Sequence, residues 1–98
     1  MAWRFVQQPN GLLARFSEVC DDFTEYDMTD DEAVDLALDH MGRIDAQAKV
    51  SRARLDLDPR TMKLGDGLER FRKAIETVRF QHGDAVANER FAELSKQS

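Results

Sequence analysis

The spacing of apolar residues changes period along this chain. Trp3-Arg4-Phe5-Val6 and Leu12-Leu13-Ala14-Arg15-Phe16 are short strand-favouring runs, separated by Gln8-Pro9-Asn10-Gly11. Proline presets φ for a turn and Asn-Gly supplies the positive φ of a tight reversal, so residues 3–19 predict a β-hairpin. Two registers compete. A two-residue Asn10-Gly11 loop pairs Phe5 with Phe16 and gathers Trp3, Phe5, Ala14 and Phe16 on one apolar face. A type I turn with a glycine bulge shifts the pairing by one. Face patterning favours the first and turn chemistry the second, so the register stays open. Residues 20–28 read as a third strand or a loop, with Phe23 and Tyr26 as apolar anchors among carboxylates.

From Thr29 onward the period lengthens to that of helices. Thr29-Asp30-Asp31-Glu32 is a capping box: the threonine hydroxyl accepts from the Glu32 N–H, the glutamate reaches back, and the aspartates complement the helix dipole. Ala33, Ala37, Leu38 and Met41 continue this helix, and Gly42 suits its stop. A second helix is expected over 44–55, with Ile44, Ala48 and Leu55 on one side and Asp58-Pro59 as its end. Residues 59–67, with Gly65-Asp66-Gly67, read as a loop. Leu68, Phe71, Ile75 and Val78 mark an amphipathic helix that Gly83 ends or bends, and Asp84 reads as the cap of a last helix carrying Ala87, Phe91 and Leu94. The expectation is one α+β domain over 1–98: a hairpin and acidic-aromatic stretch (1–28), with room for a third strand, packed on three to four helices (29–98).

Length and composition narrow the class. Ninety-eight residues make one small domain, and 42% hydrophobic with 34% charged residues suits a folded chain. The longest apolar runs are three residues, far below the ~20 of a membrane span. The opening Met1-Ala2-Trp3-Arg4-Phe5 lacks signal-peptide features, and a single cysteine, Cys20, rules out an internal disulfide. A cytoplasmic protein with no membrane association is expected.

Charge is unevenly placed. Glu18 to Asp39 contains ten carboxylates and no lysine or arginine, whereas the first seventeen residues carry +2 and residues 40–98 carry +3, for a net −5. The block reads either as a solubilising face or as a surface aimed at a basic partner. Asp31, Asp35 and Asp39 recur every four residues and so predict a stripe on one helix face, at ~6 Å per step. Such like-charge pairs cost about 0.2–0.5 kcal/mol each, which suits residues kept for binding. Arg43, Lys49, Arg52, Arg54, Arg60 and Lys63 form a basic stretch interrupted by Asp45, Asp56 and Asp58, but a pI near 4.9 opposes nucleic-acid binding.

No catalytic residue, metal site or cofactor is expected. His40 and His82 fall near predicted helix ends and stand in no ligand spacing, and Cys20 lacks a Cys-x-x-Cys partner. The stretch Asp21 to Glu32 has no glycine at the sixth position of a calcium loop. Gly65-Asp66-Gly67 lacks the Lys-Ser/Thr of a phosphate loop.

The strings Trp3-Arg4-Phe5-Val6-Gln7-Gln8-Pro9-Asn10-Gly11-Leu12-Leu13-Ala14-Arg15-Phe16-Ser17-Glu18-Val19 and Met28-Thr29-Asp30-Asp31-Glu32-Ala33 resemble small phage- and prophage-encoded proteins of uncharacterised function. The resemblance covers roughly the first third of the chain. It implies a non-enzymatic accessory protein acting in the host bacterial cytoplasm, and by analogy of size and charge an inhibitor of a host or defence protein. In that reading Asp31, Asp35 and Asp39, with Asp22 and Glu25, meet a basic partner surface, and Phe23 and Tyr26 anchor it. The alternative is a protein that sequesters a nucleotide-like signal, with Arg4 and Arg15 holding phosphate and Trp3, Phe5 or Phe16 stacking on a base. A third reading is a homo-oligomeric structural protein, its helices around Leu68–Val78 and Ala87–Leu94 packing across a two-fold axis.

Overall fold

The hairpin turn decides the register of the sheet. In the computed structural model, which describes residues 2–58 and 60–96, the Gly11 N–H donates to the Gln8 carbonyl at 2.9 Å and the Gln8 N–H to the Leu12 carbonyl at 2.8 Å. Gly11 takes φ +88°, the conformation a glycine bulge requires. β1 (Trp3–Gln7) and β2 (Leu13–Ser17) therefore pair Phe5 with Arg15 and Arg4 with Phe16, the register that turn chemistry favoured. A third strand, β3 (Asp22–Met28), lies antiparallel to β2 and completes a sheet of order β1-β2-β3. Register shifts between Leu13 and Phe16 bend this last pairing, and Asp27 sits there at φ +60°.

Face patterning misled because both faces of the sheet are buried. Phe5, Leu13 and Met28 pack against α1 (Asp30–Ala37) and α2 (Arg43–Arg54) through Ala33, Ala37, Ala46, Val50 and Ala53. Val6, Ala14, Phe16 and Phe23 pack against α3 (Glu69–His82) and α4 (Asp84–Ser95) through Phe71, Ile75, Val78, Ala87 and Leu94. Trp3 and Phe5 thus share one face, while Ala14 and Phe16 share the other. The result is an α+β domain of three layers, with the sheet in the middle. No helix among the described residues is long and apolar enough to cross a membrane.

Helix boundaries follow local chemistry with some shifts. The Thr29–Glu32 capping box forms as expected. α1 stops at Ala37 and turns at residues 38–40, and Gly42 serves as the N-cap of α2 rather than as the stop of α1. α2 buries Ala46, Val50 and Ala53, not the expected Ile44 side: Ile44 is 82% and Leu55 58% exposed. Small residues on that face let the helix backbone approach the sheet closely. α2 ends at Arg54; Pro59, expected to help end it, lies outside the described residues. Gly83, at φ +94°, occupies the cap expected of Asp84, which instead opens α4 and pairs with Arg79 at 2.9 Å. Phe91 is only half buried, its ring 5.9 Å from that of Phe71.

Three polar side chains lock these layers together. Gln8 is 1% exposed and uses both ends of its amide: Nε2 donates to Asp27 Oδ1 and the Leu94 carbonyl, and Oε1 accepts from the Asp27 N–H. That joins the hairpin turn to the β3 bulge and α4. Arg54 donates to Asp30, to Gln7 Oε1 and to the Gly11 carbonyl, tying α2 to α1 and the turn. Asp56, 3% exposed, accepts from the N–H groups of Gly67 (3.1 Å), Glu69 (2.8 Å) and Arg70 (2.9 Å). It thereby caps α3 with a carboxylate from just beyond α2.

Candidate functional site

The Asp56 cap places the first turn of α3 beside the open edge of β1, and a cavity of about 370 Å³ lies between them and α2. Trp3 and Arg4 line it from β1, Lys49 and Arg52 from α2, and Arg70 and Lys73 from α3. Glu18, Asp56, Asp58, Arg60 and Glu69 complete the wall. The carboxylates here are engaged. Glu18 accepts from Arg4 at 2.6 Å, Asp58 and Glu69 flank Lys73 at 3.8 and 3.5 Å, and Asp56 holds the α3 backbone. Among the described residues, no carboxylate lies within ion-pair distance of Lys49, Arg52, Arg60 or Arg70.

Arg70 carries the sharpest signal. Its Nη1 is buried and has no hydrogen-bond partner among the described residues. Burial pushes the guanidinium below its ordinary pKa, and the charges of Arg4 and Arg52 add to that against the pull of Asp56 and Asp58. Lys49 is in the same position: burial, then Arg52 and Arg70, push its ammonium below the usual 10.5, with Glu18 opposing. Two neighbouring cations are thus both partly desolvated with no carboxylate in ion-pair distance among the described residues, an arrangement that an anion relieves. Trp3 supports it: Lys49 Nζ lies 4.5 Å from the ring centroid and Arg15 Cζ 5.4 Å. Phe5 (5.1 Å) and His40 (5.6 Å) pack against the same ring. The indole serves as a seat for cations rather than as a bare stacking platform.

The sequence candidates are scattered relative to this pocket. Of Arg4, Arg15, Trp3, Phe5 and Phe16, only Trp3 and Arg4 line it. Phe5 and Phe16 are fully enclosed in the two cores and present no ring to a ligand. Arg15 binds Glu25 at 3.0 Å and Thr24 at 2.8 Å. Lys49, Arg52 and Arg60 stood out in the sequence only as parts of a basic stretch. Arg70 gave no signal, since it is the tertiary fold that buries it.

The acidic block is partly neutralised from within. Asp22 forms a two-pronged pair with Arg90, both bonds 3.1 Å, Glu25 pairs with Arg15, and Glu18 with Arg4. Phe23 is a core residue at 7% exposure, so its ring offers no outward anchor, whereas Tyr26 is 44% exposed. Asp31, Asp35 and Asp39 are exposed; the first two lie on α1, and Asp39 lies in the turn beyond it, which interrupts the expected single helical stripe. His82 Nε2 sits 3.0 Å from the Cys20 carbonyl, and Cys20 is an exposed free thiol. The chain matches no protein-family model, and neither the curated proteins nor the solved structures yield a match.

Proposed function

We propose that this protein is a non-enzymatic binding module that captures a small anionic ligand in the pocket between β1, α2 and α3. The observation that supports this most is Arg70 Nη1, buried and without a hydrogen-bond partner among the described residues, in a pocket with Lys49, Arg52 and Arg60, which form no ion pair among them. A buried unsatisfied donor costs about 1–3 kcal/mol, so its persistence suits a group whose partner arrives from outside. Binding is read directly, because Trp3 is the only tryptophan and lines the pocket. Titration with phosphate at constant ionic strength is expected to change its fluorescence and raise the melting temperature. At 100 times the dissociation constant the gain is about 2.7 kcal/mol. Arg70→Gln is expected to abolish both responses. Unchanged fluorescence and melting with phosphate, sulfate and phosphorylated metabolites at millimolar concentration would refute the reading.

A second reading is supported by the exposed carboxylates of Asp31, Asp35 and Asp39, which have no ion pair among the described residues. There the α1 side of the domain meets a basic surface of a host or defence protein, as the phage resemblance implies. Alanine at all three positions is expected to weaken capture of that partner, and unchanged capture would sink this reading.

A further inference from the structure

The pocket that binds the anion also carries information about which anion it takes. Its cations are graded by depth. Arg70, with its Nη1 buried, and Lys49 are both half buried, whereas Arg52 and Arg60 are exposed. A single tetrahedral anion seated on Arg70 leaves the rim cations unused. The volume, about 370 Å³, is also generous for one such ion, since a water molecule claims about 30 Å³. The wall holds six cations and four carboxylates, an excess that calls for at least two negative charges. Two of those carboxylates are spent on Lys73 and a third on Arg4, which leaves the positive excess on Lys49, Arg52, Arg60 and Arg70. Among the described residues that line the pocket, no ring stands ready to stack on a base: Phe5 and Phe16 are enclosed elsewhere, and a face of Trp3 is occupied by Lys49.

From these observations we infer that the pocket is a diphosphate site: one phosphoryl group sits on Arg70 and Lys49, the adjacent one on Arg52 and Arg60, and the remainder of the ligand points to solvent. This rests on the reading of the pocket as an anion site. The chemistry is shared by free pyrophosphate and by the diphosphate end of a nucleotide, and it predicts that the two bind alike. A nucleic-acid strand, with singly charged and widely spaced phosphates, fits the graded depth less well.

Calorimetric titration of the full chain at fixed ionic strength tests this with five probes: orthophosphate, pyrophosphate, adenosine diphosphate, adenosine and a short single-stranded oligonucleotide. Pyrophosphate is expected to bind at least tenfold more tightly than orthophosphate, adenosine diphosphate within threefold of pyrophosphate, and adenosine not at all. The double variant Arg52→Gln/Arg60→Gln, both at exposed positions, is expected to weaken pyrophosphate at least tenfold and orthophosphate by less than threefold, so that the preference between them disappears; an equal loss for both anions would overturn the assignment of the second phosphoryl group to Arg52 and Arg60. Equal binding of orthophosphate and pyrophosphate would overturn the diphosphate inference while leaving the anion pocket intact. Adenosine diphosphate more than tenfold tighter than pyrophosphate would show that a ring is recognised, and the inference as stated would fail. An oligonucleotide that binds more tightly than pyrophosphate would replace it with strand binding. Silence from all five probes would remove the anion pocket as well.

Discussion

Asp56 is the residue on which the pocket's geometry most depends, and its replacement has a calculable cost. Oδ2 accepts from Gly67 N and Glu69 N, and Oδ1 from Arg70 N, so both oxygens are in use. Removing an N-cap acceptor costs about 0.5–2 kcal/mol, and a single hydrogen bond to a charged group contributes about 1.5–3. The three bonds share one carboxylate, and some of the freed N–H groups regain water. Asp56→Ala is therefore expected to cost about 2–4 kcal/mol, out of the roughly 5–15 that a domain of this size possesses. Asp56→Asn offers no relief: one oxygen becomes an NH₂ group facing backbone donors, so the nominally conservative change is expected to cost at least as much as alanine. Urea denaturation followed by circular dichroism measures both, with the slope m unchanged if only the native cap is lost. In thermal melts the loss corresponds to a drop of at least about 8 °C. If Asp56→Asn unfolds within about 0.5 kcal/mol of the wild type, the carboxylate is not holding α3 and the reasoning fails.

Other outcomes follow from the same contacts. In Gly65→Ala the new Cβ runs into Asp56 Oδ2 and falls 2.9 Å from Glu69 Cβ, an overpacking expected to cost about 1–3 kcal/mol. In the double variant with Asp56→Ala the cost is expected to be less than the sum of the two single costs, because the nearer clash partner is gone; strict additivity in the double-mutant cycle would argue against contact. Arg70→Met removes a half-buried guanidinium whose buried Nη1 has no partner among the described residues; it is expected to raise the unliganded stability by about 1–2 kcal/mol while ending the phosphate response, and a destabilised variant would contradict that account. Burial acts to raise the Asp22 pKa, but the Arg90 hydrogen bond, the Phe23 N–H and the Arg90 charge outweigh it and hold the carboxyl below 3.8. Because the folded pKa is the lower one, Asp22 contributes stability that is fully present above pH 3.8 and lost as the pH falls through the folded value. The stability difference between wild type and Asp22→Asn is thus expected to shrink as the pH falls below 4. A difference that grew on acidification would reverse the sign of the argument.

Local chemistry alone settled much of this molecule. Pro9-Asn10-Gly11 contains the turn and its bulge, because φ restriction and positive φ are properties of those residues and need no neighbours. Thr29 and Glu32 contain their own cap, since both partners lie within one helical turn. The period of Phe71, Ile75 and Val78 likewise marked the buried face of α3. What the tertiary structure decided is everything that depends on partners distant in the chain. Helices on both sides of the sheet divided Phe5 from Phe16. Arg90, sixty-eight residues away, neutralised Asp22. Asp56, which in sequence only interrupts a basic stretch, became the cap of α3 and brought Arg70 beside Lys49. Burial and the pairing of charges depend on where other segments come to rest, so the pocket appears only once the strand edge and the two helices that wall it are in place.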